Sequence, residues 1–150
     1  MESHEYEVSI NWLELKKGTM KAPGINEHIT VATPPEFNGG MHGIWSPEHL
    51  FTAAVNSCFM TTFLAVAEFS KFEYIDFECK SRGILTKADG RYAMTHVELE
   101  PTLTVSNEED REKAERILVK AEKACLISNS IKSTTSLKIN IQLAAKPVEE

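Results

Sequence analysis

The chain has 150 residues, with 22 acidic side chains against 16 basic ones and a formal net charge of −6. That length suits one domain over residues 1–150 with a core of its own. The dispersed basic residues argue against a nucleic-acid partner. The chain opens on no basic-then-apolar segment, so no secretory signal is expected. Three cysteines, an odd number, point to a reducing cytoplasm rather than a disulfide scaffold.

Tyr6, Val8, Ile10 and Trp12 alternate with polar residues, which predicts a first strand. Gly18 is read as opening a turn region, and Glu27–Thr33 as a second strand. The segment 34–45, with two prolines, three glycines and no periodicity, is a loop. Ser46-Pro47-Glu48 is a helix start. Serine caps, proline fits the first helical position and glutamate favours the positive end of the dipole. The helix is expected to run to about Ser70. Ile75, Phe77, Cys79 and Leu85 mark the next strand, and Val97, Leu99, Leu103 and Val105 the one after. Lys87-Ala-Asp-Gly-Arg between them is a hairpin turn signal. Pro101 inside the second of these strands predicts an edge or a bulge.

Ser106-Asn-Glu-Glu109 fits a capping box for a second helix, whose stripe is Ala114, Ile117, Leu118, Ala121 and Cys125. Leu137, Ile139, Ile141 and Leu143 alternate in one last strand, and Pro147 begins a tail. The order β-β-α-β-β-α-β, with neighbouring strands joined by a turn, predicts the α+β class with an antiparallel sheet.

The first helix carries Leu50, Phe51, Val55, Phe59, Met60, Phe63, Leu64 and Val66 around nearly its whole circumference, a pattern expected of a helix buried on all sides. A chain of this size has too little mass to wrap it, so a second copy is expected to cover one side. The uncharged run from His49 to Ala67 is long enough to raise a membrane question. Thr52, Asn56, Ser57, Cys58, Thr61 and Thr62 within it favour burial in protein, and no membrane partner is expected.

The three cysteines carry the chemistry. Cys79 alternates with Phe77 on an apolar strand face and is read as core filling. Cys58 lies mid-helix among Asn56, Ser57, Thr61 and Thr62, which can offer hydrogen bonds to a thiolate. Cys125 ends the second helix and is followed by Ser128 and Asn129. One such cysteine alone would also read as filling; two, one per helix, suggest a thiol that reacts and a thiol that resolves it. The competing chemistry is a zinc site drawn from Cys58, Cys125, His42 and His49, but no CxxC or HxxxH spacing supports it.

The run Ser46-Pro-Glu-His-Leu-Phe-Thr-Ala-Ala-Val-Asn-Ser-Cys58 resembles the (N/S)PE-x-L-x-x-A-x-x-x-C helix of the OsmC/Ohr family, the osmotically inducible and organic-hydroperoxide-resistance proteins. Cys125-Leu-Ile-Ser-Asn-Ser-Ile resembles the family's second signature, CPxSxA, and Pro35-Glu-Phe-Asn-Gly-Gly resembles the loop of an uncharacterised OsmC-like branch. The resemblance implies an OsmC-like fold, an intertwined homodimer with two long helices at its centre, and a thiol peroxidase acting on organic hydroperoxides and sometimes hydrogen peroxide. It makes Cys58 the peroxidatic and Cys125 the resolving cysteine, with a disulfide reduced by a dithiol of lipoyl type and no metal or flavin cofactor. Glu48 matches the family glutamate that orients an arginine beside the thiol. Ten positions along a straight helix are roughly 15 Å, so Glu48 serves the Cys58 of a second copy unless the helix breaks.

Two positions depart from the pattern. No arginine precedes Arg82, leaving Lys16 or Lys17 near one family position, and Leu126 stands where the second signature has proline. Lysine lacks the planar fork that pairs a carboxylate while holding a thiolate. The missing arginine predicts that Cys58 has a thiol pKa nearer the free value than in arginine-bearing relatives, with peroxide reduction slow at pH 7 and rising toward pH 8.5. It also keeps a second reading alive, a non-enzymatic dimer that binds an apolar small molecule in the inter-subunit cleft and whose cysteines are vestigial or redox-sensing.

Overall fold

The computed structural model describes residues 1–145, so the tail beginning at Pro147 lies outside the described residues. The chain divides into two units, Met1–Leu50 and Phe51–Glu150.

The first unit is an antiparallel three-stranded meander of β1 (Ser9–Glu14), β2 (Lys17–Ala22) and β3 (Ile25–Ala32). The region read as a turn from Gly18 is thus a strand. Gly18, Met20 and Ala22 do alternate with Lys17, Thr19 and Lys21, but glycine and alanine are weak strand formers and the signal is faint. Gly18 lies opposite Trp12 and Val31 in the two ladders. The loop after β3 turns back so that Ala32 N–H donates to Trp45 O at 2.9 Å.

Helix α1 (Pro47–Phe69) starts where the sequence places it. Ser46 Oγ accepts from His49 N–H at 3.1 Å, and His49 Nδ1 accepts in return from Ser46 N–H at 3.2 Å, with the Ser46 hydroxyl 2.7 Å away. This is a capping box with histidine in the place of glutamate or glutamine.

In the second unit, β4 (Asp76–Ala88) and β5 (Arg91–Val105) form a long antiparallel hairpin. Its two-residue turn has positive φ at both Asp89 (53°) and Gly90 (77°), the mirror-image turn that matches strand twist. After β5 a 3₁₀ turn over Glu108–Asp110 leads into α2 (Arg111–Ala124), with Asp110 at the N-cap and no side-chain cap bond. The expected capping box at Ser106 does not form, because the 3₁₀ turn delays the helix.

β6 (Thr134–Leu137) and β7 (Asn140–Leu143) both pair with β5, and both are parallel to it. The sheet is therefore mixed rather than antiparallel: α2 is a crossover that returns the chain to the starting edge, as parallel pairing requires. The single last strand of the sequence reading is broken in two at Lys138–Ile139, and the break faces Pro101. β6 pairs with His96–Leu99 and β7 with Thr102–Val105. Pro101 is thus in a central strand, not at an edge, and lies where the far ladder is interrupted.

Val97, Leu99, Leu103 and Val105 of β5 meet Val55, Phe59, Phe63 and Ala67 of α1 and Ala114, Ile117, Leu118 and Ala121 of α2 in one core. Phe77 stacks on Phe63 with centroids 4.7 Å apart. Gly83 lets the helix approach the sheet, since a Cβ there would lie 2.0 Å from Thr52 Oγ1. Only one stripe of α1 is buried, at i, i+4 spacing, whereas Met60 and Leu64 on another face are 40% and 38% exposed. Burial on all sides is not achieved within one chain. α1 has the length and hydropathy to cross a membrane, and it is the core helix of this fold.

Candidate active site

Cys58 lies at the middle of α1, half-buried, and Cys125 is fully buried at the position that ends α2. The fold brings the two thiols close enough for each to bear on the other's proton. Both cysteines are free. Burial raises the pKa of Cys58, but the backbone N–H of Ile127, the Cys125 thiol, the Thr62 hydroxyl and the backbone N–H of Leu126 outweigh it, and the net shift is downward. Each donor favours the charged sulfur over the neutral one. Cys125 moves the other way. Burial raises it, the hydroxyl and N–H of Ser128 oppose that, and the neighbouring Cys58 adds to the rise by hydrogen bond and charge. One negative charge is shared unequally, with Cys58 the better thiolate and Cys125 the donor.

No cation takes part in this lowering. Uncharged donors supply the lowering, and two of them are backbone amides that no residue type announces. Of the four polar neighbours expected to help, Thr62 does so, with Oγ1 3.9 Å from Sγ. The others turn elsewhere. Ser57 donates to Ala54 O and Thr61 to Cys58 O, while Asn56 Nδ2 donates to Cys79 O at 3.1 Å.

The turn after Cys125 is tied at several points. Asn129 Nδ2 donates to Lys123 O at 3.0 Å, Asn129 N–H to Cys125 O at 3.1 Å and Ser130 Oγ to Leu126 O at 2.7 Å. Glu48 is in the first turn of α1, and the helix is unbroken from Pro47 to Phe69. Ten residues of rise thus separate Glu48 from Cys58 within one chain. Lys16 donates to Asn38 O at 2.5 Å and Lys17 pairs with Glu14 at 3.1 Å. Arg82 pairs with Glu98 at 3.1 Å. Among the described residues no group of three His, Cys, Asp or Glu side chains is gathered as a metal site, and His49 is engaged with Ser46.

Residues 40–140 match the family described as OsmC-like protein. The chain belongs to the OsmC-like family. It is 23% identical over 142 residues to the uncharacterized protein YmaD of Bacillus subtilis, covering 93% of this chain and 94% of that one. An OsmC-like protein of unknown function from Vibrio cholerae superposes with a TM-score of 0.80 at 21% identity, over 91% of this chain and 99% of that one. An organic hydroperoxide resistance protein from Legionella pneumophila superposes at 0.74 with 23% identity, over 95% and 99%. These likenesses establish the OsmC-like α+β fold. Within it, Cys58 lies at the middle of α1 and Cys125 at the end of α2.

Proposed function

We propose that this OsmC-like protein is a thiol-dependent peroxidase that reduces organic hydroperoxides. The observation that carries the reading is a pair of thiols that act on each other and whose pKa values are pushed in opposite directions. The Cys58 thiolate attacks the terminal peroxide oxygen, the O–O bond breaks, and the alkoxide takes a proton to leave as alcohol. Sulfur is oxidised to the sulfenic acid. The Cys125 thiol then attacks that sulfur, water departs, and a Cys58–Cys125 disulfide forms. An external dithiol, of lipoyl type by family resemblance, returns both thiols by exchange and is itself oxidised to a disulfide. The names of the Legionella protein and of OhrB from Bacillus subtilis, both organic hydroperoxide resistance proteins, support the substrate class.

The reading includes a homodimer in the cytoplasm. The open apolar face of α1, with Met60 and Leu64, supports a second copy. Glu48, held away from Cys58 along its own helix, then acts at the site of that copy. Sedimentation at low micromolar concentration should show about twice the chain mass of 16.8 kDa; a folded monomer would remove this part of the reading. For the chemistry, one equivalent of an organic hydroperoxide should consume two thiols per chain and leave a Cys58–Cys125 disulfide. Intact thiols after that treatment would favour the non-enzymatic binding reading.

A further inference from the structure

Cys125 closes one helical element and opens another. Its backbone is extended, with φ −65° and ψ 112°, which takes the chain out of α2. Its carbonyl then accepts from Asn129 N–H at 3.1 Å, a bond that wraps residues 126–128 into a single turn. Cys125 caps that turn and Ser128 is its third residue, the two positions whose side chains face each other across a helix start. In the box at the head of α1 the corresponding residue, His49, takes the N–H of its cap, Ser46, at 3.2 Å. Here the N–H of Cys125 is already directed back to Glu122 O at 3.4 Å. The Ser128 hydroxyl is left over. Its oxygen is buried, and among the described residues it has no hydrogen-bond partner. A buried hydroxyl without a partner is destabilising, so a place in the reaction accounts for it better than a place in the fold.

We propose that Ser128 is the positioning residue of the resolving step: its hydroxyl turns to the Cys125 sulfur once Cys58 has been oxidised, and holds that sulfur as the attacking thiolate. The proposal rests on the peroxidase reading of the thiol pair. The groups that face the Cys125 sulfur are Cys58 from α1 and Ser128 from the turn. The carboxylate of Glu122, at the end of α2, is engaged by Thr135, whose Oγ1 donates to it at 2.5 Å. In the reduced protein the charge on Cys58 opposes ionisation of Cys125, and Ser128 works against that opposition. Oxidation of Cys58 leaves a neutral sulfur and removes the opposing charge, whereas the Ser128 donor stays. Cys125 thus becomes the nucleophile only after its partner has become the electrophile.

A surrogate for the oxidised state tests this without peroxide. One equivalent of methyl methanethiosulfonate converts Cys58, the more exposed of the pair, to its methyl disulfide with loss of methanesulfinate. Attack by Cys125 on the Cys58 sulfur then forms the Cys58–Cys125 disulfide and expels methanethiol, which carries off the proton. The rate of that second step is read by acid quench and peptide mass spectrometry. Ser128→Ala should slow it about threefold at pH 7, and the deficit should narrow as rising pH ionises Cys125 without help. Ser128→Thr, which keeps the hydroxyl, should restore the parent rate. The thermal midpoint of Ser128→Ala should equal or exceed the parent's, because no hydrogen bond of the folded state is lost. Equal rates in the parent and the alanine variant, a deficit that ignores pH, or a lowered thermal midpoint overturn the proposal, as does a parent that expels no methanethiol. A rate that depends on Ser128 in a protein that consumes no organic hydroperoxide leaves the role of Ser128 standing and sinks the peroxidase; consumption with equal rates does the reverse.

Discussion

Cys58 and Cys79 are both half-buried thiols, one on a helix and one on a strand that faces the same core, and their protons are held in opposite ways. Around Cys58 the neighbours donate, from Ile127, Cys125, Thr62 and Leu126, and the thiol is shifted down against the cost of burial. Cys79 instead has Sγ 3.6 Å from the Lys80 carbonyl, which asks it to donate. Burial raises it to about 11, the Glu100 backbone donor only partly offsets this, and the Glu100 carboxylate adds to the rise. The two thiols differ in which influence wins: desolvation dominates at Cys79, and hydrogen-bond donors outweigh it at Cys58.

The sharpest way to break this contrast is to delete each sulfur in turn. Cys58→Ser should abolish peroxide consumption. Cys125→Ser should allow one turnover and leave a sulfenic acid that over-oxidises in excess peroxide, detectable by mass spectrometry. Cys79→Ser should alter thermal stability at most; loss of activity there, with Cys58→Ser still active, would invert the assignment.

A second measurement sharpens the contrast without mutation. With Cys58 lowered, its alkylation rate should climb and level off below the ordinary thiol midpoint of about 8.5. Cys79, still protonated at that pH, should label only as the solution approaches about 11. Overlapping curves would show that the donors around Cys58 have no net effect. The smallest expected effect is that of Thr62→Val. The 3.9 Å contact is long, and losing it should raise the Cys58 midpoint by about 0.3 of a pH unit.

Much of this was legible in the residues because it depends on residue type. The Ser46-Pro47 start, the Asp89-Gly90 turn and the alternation along β4 and β5 each follow from side-chain chemistry. The two cysteines were legible as candidates for the same reason. What sequence reasoning missed depends on the path of the backbone. The split of the last strand at Lys138–Ile139 answers a proline some 37 positions earlier, and the parallel pairing follows from the crossover through α2. The donors at Leu126 and Ile127 are amides that any residue but proline would offer. That uncharged donors lower the Cys58 thiol cannot be read from the absence of an arginine.

The interruption at Pro101 has a mechanical consequence for the site. The strand that follows the Cys125 turn is β6, held to β5 by four paired residues, from His96↔Thr134 to Leu99↔Leu137. Beyond the proline, β7 is held in a separate four-residue ladder, and Arg111 Nη1 ties Ile141 O to the start of α2 at 2.9 Å. The turn after Cys125 therefore leads into a strand whose ladder on β5 stops at Leu99↔Leu137 and resumes at Thr102↔Asn140, so the segment that follows the thiol pair is fastened to β5 separately from β7.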